Sequence, residues 1–237
     1  SQQKSNIFLK RVIQRKEIIS KDIDLNNELN STEIYNIPIN KFVGFECNHF
    51  LSGEDPLVET SKQLIENPDL NIFESYIYKY MKSFQPKTLG KLYGLNKKNK
   101  LHKINSNKKF HPWIDKYPTG FRVGLFGPKD NSSIMYRIIR IKNLINNIQK
   151  YGYLPSKDDV IEGYILKNEN DFRFLVTQGH HRVAVMSCLS LINKNQYQKV
   201  GVRCKPFYPS KKNVFNSEDV LNWPAFKSGF LIAEDAI

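Results

Sequence analysis

The spacing of apolar positions changes along the chain from a period of two to a period near four. Residues 33–46 alternate apolar and polar side chains, which predicts a strand that leads into a loop. Residues 134–152 repeat apolar side chains every three or four positions, which predicts a helix with one buried face that ends at Gly152. Ser132 or Ser133 precedes this helix, and we expect one of them to cap it.

The same two patterns predict the remaining elements. They are helices over 56–66, 71–84 and 180–193, strands over 159–167, 172–179 and 199–208, and a short capped helix over 216–223. The first two of these strands flank a short polar turn, so we expect them to pair as a hairpin. Strands that alternate with helices in this order predict a mixed α/β (α+β) domain.

The order of elements also predicts how the chain is divided. A basic lead-in covers 1–32, a single domain covers 33–215, and a helical tail covers 216–237. A helical and basic insertion, at about 50–125, separates the first strand of the domain from its first core helix. Within the insertion, residues 96–109 are rich in lysine and are interpreted as a solvated loop or as an arm for an anionic partner.

Composition narrows the class of protein. The 237 residues carry a formal net charge of +13, which favours a polyanionic partner such as nucleic acid, a nucleotide, a phosphorylated metabolite or an anionic lipid. An AT-rich genome also produces such a lysine-rich chain, so both readings of the charge stay open. Three cysteines without short spacing argue against a disulfide framework and a cysteine-rich zinc site.

The hydropathy of the chain bears on its location. No apolar run approaches the length of a membrane span, and the first twenty residues lack the apolar core of a signal peptide. We therefore expect a cytoplasmic protein.

Residues 174–186, FLVTQGHHRVAVM, hold the strongest candidate site, because an apolar run is interrupted by polar and cationic side chains. A predicted strand passes through Gly179 straight into a predicted helix, whose first N–H groups lack intrahelical acceptors and favour an anion. Arg182 lies in the first turn and can bind a phosphate through two hydrogen bonds. His180 and His181 can donate hydrogen bonds or exchange protons near neutral pH.

Two other interpretations of this turn remain. It is a capped helix start in any case, because the same N–H groups serve both purposes. A metal site is the weakest interpretation, because adjacent helical histidines point about 100° apart and no further ligand pattern such as HExxH is present.

The turn resembles that of the ParB/sulfiredoxin-like superfamily. Gly179, His180, His181 and Arg182 match the Gly-His-His-Arg form of the family's turn, while Gln178 stands where several relatives have Asp. The resemblance extends over about 134–208, through Gly152 and Pro155 of a preceding loop and through the later strand, and it includes the opening strand at 34–46. More loosely, the chain is similar to bacterial ParB-like proteins, some of them associated with surface-polysaccharide genes, which implies polysaccharide biosynthesis. The resemblance implies a mixed sheet with a helical insertion between the first strand and the first core helix.

The resemblance also implies binding of a nucleoside triphosphate, but the branches of the family differ. ParB proteins bind CTP while clamping DNA, sulfiredoxins use ATP to phosphorylate a sulfinic acid, and other members are kinases of free serine. His180 stands where a sulfiredoxin has cysteine, and about thirty residues follow the last core strand, too few for the helix-turn-helix domain of ParB proteins. The turn is nearest to that of the serine-kinase branch.

This interpretation assigns roles to named residues. Nucleotide and phosphate binding is assigned to Gln178, Gly179, His180, His181, Arg182, Gly152 and Arg140. Magnesium binding is assigned to Asp158 and Asp159, and the catalytic candidates are His181, Glu46, Glu54 and Asp159. The glutamates follow the opening strand, where the resemblance implies a catalytic acid.

We therefore expect a kinase that uses ATP (or CTP) and Mg²⁺ to phosphorylate a small-molecule hydroxyl, either a sugar intermediate or an amino acid. The alternatives are a nucleotide-gated DNA-binding or regulatory module, which the charge favours weakly, and a member of the family that has lost catalysis.

Overall fold

A mixed sheet lies at the centre of the fold, as the computed structural model of the chain shows. The structure describes residues 20–25, 28–45, 49–114, 119–121, 124–156, 159–194, 197–206 and 210–230. Its strands are β1 (Ser20–Asp22), β2 (Ile34–Pro38), β3 (Phe42–Val43), β4 (Lys108–Lys109), β5 (Thr119–Phe121), β6 (Ile161–Asn168), β7 (Asp171–Gln178), β8 (Lys199–Cys204) and β9 (Val214–Asn216). The helices are α1 (Pro56–Glu66), α2 (Tyr76–Ser83), α3 (Leu89–Leu92), α4 (Asn131–Tyr151), α5 (His180–Ile192) and α6 (Pro224–Lys227).

The main sheet mixes parallel and antiparallel pairs. Its order is β1-β2-β8-β6-β7-β3, and β9 pairs with β6 beyond the point where β8 ends. β6 and β7 form the predicted antiparallel hairpin, whereas β8 runs parallel to β6. The prediction of a mixed α/β fold is therefore confirmed.

Alternation along the central hairpin separates the two faces of the sheet. Ile165 of β6 and Phe174 of β7 point into the larger core, while Tyr164 and Leu175 point into a smaller core on the opposite face. The larger core also contains the buried stripe of α4, which runs from Ile134 to Ile148. α1, α2 and α5 contribute buried side chains to the same core.

The segment between β3 and α4 packs in two separate parts. α1 and α2, which begin the predicted insertion, pack in the main core through Leu57 and Ile77. α3 and the turn that follows it pack around Leu89 and Leu101, in a separate cluster with Phe110. The basic segment 96–109 is anchored by Leu101, which is only 1% exposed, and most of its lysines face solvent.

The predicted element boundaries hold for α1 and shift elsewhere. The predicted strand over 33–46 breaks after Pro38 into a 3₁₀ turn and then β3, because proline lacks the N–H that a strand ladder requires. The predicted helix over 71–84 begins instead with a 3₁₀ turn, and Ser75 caps α2. Asp130, not Ser132 or Ser133, caps α4; the prediction of a serine cap was wrong.

None of the helices in the described ranges combines the length and the apolarity that a bilayer crossing requires.

The cap of α1 gives a test of the fold. Asp55 is 2% exposed, and its carboxylate accepts hydrogen bonds from the N–H groups of Leu57 and Val58 at 2.8 and 3.2 Å. We expect Asp55→Ala to lower the free energy of unfolding by about 2 kcal/mol, because it leaves two buried donors without an acceptor. Urea unfolding followed by circular dichroism measures this. Asp130→Ala removes the exposed cap of α4 and should cost clearly less; equal losses would contradict the role of burial.

Candidate functional site

The turn between β7 and α5 depends on the backbone of Gly179. This residue has φ 101° and ψ 15°, a left-handed conformation that glycine adopts without strain. Its carbonyl accepts the N–H groups of Arg182 and Val183 at 2.9 and 3.1 Å, so the helix starts at once. Among the described residues no side chain caps this end of α5. The N-terminus of a helix without such a cap is suited to an anion.

Close packing under the turn is a second reason for glycine. A Cβ atom at Gly179 would lie 2.9 Å from Cγ1 and 3.3 Å from Cα of Ile161, at the start of β6. Just before the turn, Glu162 pairs with Gln178 whereas Gly163 pairs with Val176, so β7 contains one extra residue. Such a bulge bends the strand locally and redirects the side chains beside it. The side chain of Gln178 is exposed at this point, as its assigned role requires.

Arg182 and Asp159 meet at the first turn of α5. The guanidinium Nη1 lies 2.6 Å from the carboxylate Oδ1 of Asp159, and the two side chains are 8% and 76% exposed, respectively. The arginine is thus buried and held in one orientation, while its partner is open to solvent. The structure brings together a predicted phosphate ligand and a predicted metal or catalytic acid.

His181 is surrounded by cationic groups. Its Nε2 atom is buried and makes no hydrogen bond in the described part of the chain. Burial lowers the pKa of His181 to about 3, and the charges of Arg140 and Arg137 on α4 add to this effect. The imidazole is therefore neutral at physiological pH. A buried polar atom without a partner among the described residues, near several cationic groups, is suited to an anionic or hydroxyl-bearing ligand.

Arg140, which the sequence analysis assigned to phosphate binding, therefore lies near His181. Arg137 was not assigned to the site from the sequence, although it lies three residues before Arg140 and thus shares a helix face with it.

The segment before α1 packs beside His180. Residues 50–52 form a 3₁₀ turn that lies against α5, and the ring centroids of Phe50 and His180 are 6.4 Å apart. Glu54 follows this turn and is exposed, next to the buried cap Asp55. The predicted catalytic Glu54 is therefore two residues from a segment that contacts the helix carrying the turn.

The loop after α4 is tied to the sheet at the same end. Gly152 ends α4 with φ 73° and ψ 174°, a conformation nearly restricted to glycine. The hydroxyl of Tyr153 accepts the N–H of Ile161 and donates to the carbonyl of Gly201, both at 3.2 Å. This places the loop at the start of β6, beneath the turn at Gly179.

Three further acidic residues are Glu46, Asp158 and Glu162. Glu46 and Asp158, assigned as catalytic acid and metal ligand, lie outside the described residues. Glu162, in the β6–β7 hairpin, does not face solvent: its side chain is 12% exposed and forms ion pairs with Arg203 and Lys205, both at 3.2 Å.

The side chains that could bind a metal ion are few in the described part of the chain. Within the described ranges, no three His, Cys, Asp or Glu side chains form a group that could hold a metal ion. Asp159 is the assigned metal ligand that the structure describes. Magnesium bound with a nucleotide needs only one or two carboxylates besides phosphate oxygens, so this residue fits such an ion.

Comparisons of the chain with protein-family models, with curated proteins and with solved structures find no match.

The close packing at Gly179 can be tested by substitution. We expect Gly179→Ala to lower the free energy of unfolding by about 2–3 kcal/mol, because it adds a clash with Ile161 to left-handed backbone strain. Gly94→Ala is the matched control, because Gly94 also has positive φ (+66°) but nothing within 4 Å of its Cβ position. Thermal or urea unfolding measures both. Equal losses would show that the contact with Ile161 does not contribute.

The low pKa of His181 predicts a pH dependence of stability. The unfolded chain takes up a proton near the ordinary value of 6.5, and the folded chain only near 3, so the unfolded state binds more protons between these values. Stability should therefore fall as pH is lowered through this window, by up to about 1.4 kcal/mol per pH unit from this group.

His181→Gln should make that fall shallower, whereas His102→Gln, at a histidine in the 3₁₀ turn 100–103, should retain it. Urea unfolding at a series of pH values measures the slope. A His181 imidazole signal that titrates near pH 6.5 in the NMR spectrum would contradict the prediction.

Proposed function

We propose that this protein binds a nucleoside triphosphate at the Gly179–Arg182 turn and transfers a phosphoryl group from ATP to the hydroxyl of a small molecule. The acceptor class is a sugar intermediate or an amino acid. The proposal includes membership of the ParB/sulfiredoxin-like superfamily, on the resemblance of the turn and its preceding loop. The observation that carries it is the left-handed Gly179, which starts α5 directly after β7 beside a buried, oriented Arg182.

Phosphate recognition follows from the charges around the turn. The first N–H groups of α5 and the positive end of its dipole favour an anion. Arg140 and Arg137 lie close enough to lower the pKa of His181, so their charges act at the same place. Neutral His181 can donate or accept a hydrogen bond there without adding a further charge. This set of groups supports binding of a polyphosphate.

Arg182 and Asp159 would act as a pair. Asp159 holds the guanidinium in place through one carboxylate oxygen, and its high exposure leaves the other oxygen open to a magnesium ion. MgATP would supply the phosphoryl group. Arg182 and the helix N-terminus would orient the phosphates, because positioning and charge stabilisation supply most of the rate enhancement in phosphoryl transfer.

Glu54 is the described residue that we assign as the base towards the acceptor hydroxyl. It is exposed in the loop that follows residues 50–52, the segment that packs against α5 beside His180. A carboxylate in that position can take the proton of the hydroxyl as the oxygen attacks.

Nucleotide binding tests the first part of the proposal. We expect wild-type protein to bind ATP or CTP with magnesium, and Arg140→Ala to weaken binding about tenfold, because one charged contact is lost. Arg182→Lys keeps the charge but loses the two-pronged geometry and should also weaken binding. Arg173→Ala is the control, because Arg173 pairs with Asp171 at the opposite end of β7. Isothermal titration measures each affinity, and no binding of either nucleotide would contradict the proposal.

Turnover tests the second part. We expect transfer from ATP to a member of a panel of sugars and amino acids, and Glu54→Gln to lower kcat about 100-fold with unchanged nucleotide affinity. Glu66→Gln, at the far end of α1, is the control. Transfer is measured by mass spectrometry of the phosphorylated acceptor. Nucleotide binding without transfer across the panel would instead favour a regulatory module.

A further inference from the structure

The face of the sheet opposite the helices carries a cleft that the proposed phosphate site does not use. A cavity of about 500 Å³ is lined by the rings of Trp113, Phe215 and Trp223. A second cavity, of about 290 Å³, shares these three rings and continues towards the β6–β7 turn. The first volume is within the range of sites for small molecules, which typically combine aromatic walls with a few polar groups.

The aromatic wall of the cleft is fixed from behind. The indole N–H of Trp113 donates to the hydroxyl of Tyr164 at 3.1 Å, and this hydroxyl lies 3.1 Å from Nδ1 of His111. Tyr164 is fully buried, and Trp223 is only 8% exposed. Phe215 is likewise only 7% exposed, so the half-buried Trp113 supplies most of the open aromatic surface. A ring fixed in this way lowers the entropy cost of binding.

The angles between the rings bear on the shape of the ligand. The planes of Trp113 and Trp223 meet at 73°, and those of Trp113 and Phe215 meet at 41°. No two of these three rings are parallel, so they form no slot for a flat nucleobase. An angular wall with Trp113 as its most open ring suits a puckered ring, whose C–H groups can contact the face of that indole.

The polar groups of the larger cavity bear on the chemistry of the ligand. Asn222 and Ser210 supply donors and acceptors without charge, while Lys212 and Asp219 offset each other. Among the described residues that line this cavity, a phosphate would meet one carboxylate and one cation. Hydroxyl groups both donate and accept hydrogen bonds, so a polyhydroxylated ring matches this lining on every side.

We propose that the cleft binds a saccharide, in a site separate from the phosphate-binding turn. The two adjoining cavities, which share three aromatic residues, offer room for more than one sugar ring. The site is inferred from its own lining and does not depend on the proposed kinase activity.

The chain contains two tryptophans, Trp113 and Trp223, and both line the cleft, so intrinsic tryptophan fluorescence reports on this site. We expect a saturable change in emission on titration with glucose or with N-acetylglucosamine. The trisaccharide of the same sugar should bind about tenfold more tightly, because it can occupy both cavities. No saturable change with either sugar or its trisaccharide would overturn the proposal, as would a change produced by ATP or inorganic phosphate instead.

Substitutions in the lining of the cleft test where the saccharide binds. We expect Asn222→Ala and Asp219→Ala each to weaken saccharide binding about five- to tenfold, because each removes hydrogen bonds to hydroxyls. Leu221→Ala is the matched control, since Leu221 lies in the same 3₁₀ turn and is 60% exposed. Unchanged affinity in both polar variants would overturn the assignment. Arg140→Ala should leave saccharide affinity intact, so failure of this proposal and failure of nucleotide binding are distinguishable.

Discussion

The left-handed backbone at Gly179 is the constraint on which the rest of the site depends. It lets β7 pass into α5 without an intervening loop, and it brings the start of β6 against the turn at Ile161. Because the helix starts at once, Arg182 falls in its first buried turn and reaches Asp159 across the end of the sheet. A looser connection would leave the same residues in the chain and would not hold them together.

The charged groups around the turn do not destabilise the fold in the absence of a ligand, because each is paired, neutral or exposed to solvent. Arg182 is paired with Asp159, His181 is kept neutral by burial and by its arginine neighbours, and Arg140 is exposed to solvent. The cations therefore do not share a dry pocket. An incoming polyanion would gain their attraction without first separating many ion pairs, which is the physical basis for the phosphate-binding proposal.

The starts of helices could be predicted from the sequence because they depend on neighbouring residues. Asp55 followed by Pro56 marks the start of α1, and the run after Gly179 marks the start of α5. Pairings between distant segments could not be derived in this way. The contact of Arg182 with Asp159 requires the whole hairpin, and the grouping of Trp113 with Phe215 and Trp223 requires β9 to dock on β6. The break after Pro38 had a visible signal, because proline interrupts a strand ladder.

The burial of α5 has a consequence for how the site responds to its surroundings. Residues 182–189 are all buried, so the helix runs through the core with little water beside it. Mobile salt ions cannot surround a dipole that is enclosed in this way, and they screen it less than they screen lysines on the surface. The dipole of this largely buried helix and the net charge of +13 should therefore weaken to different degrees as ionic strength rises. A polyanion attracted only by the net charge would therefore be released first, and one held at the N-terminus of α5 would be released at higher salt.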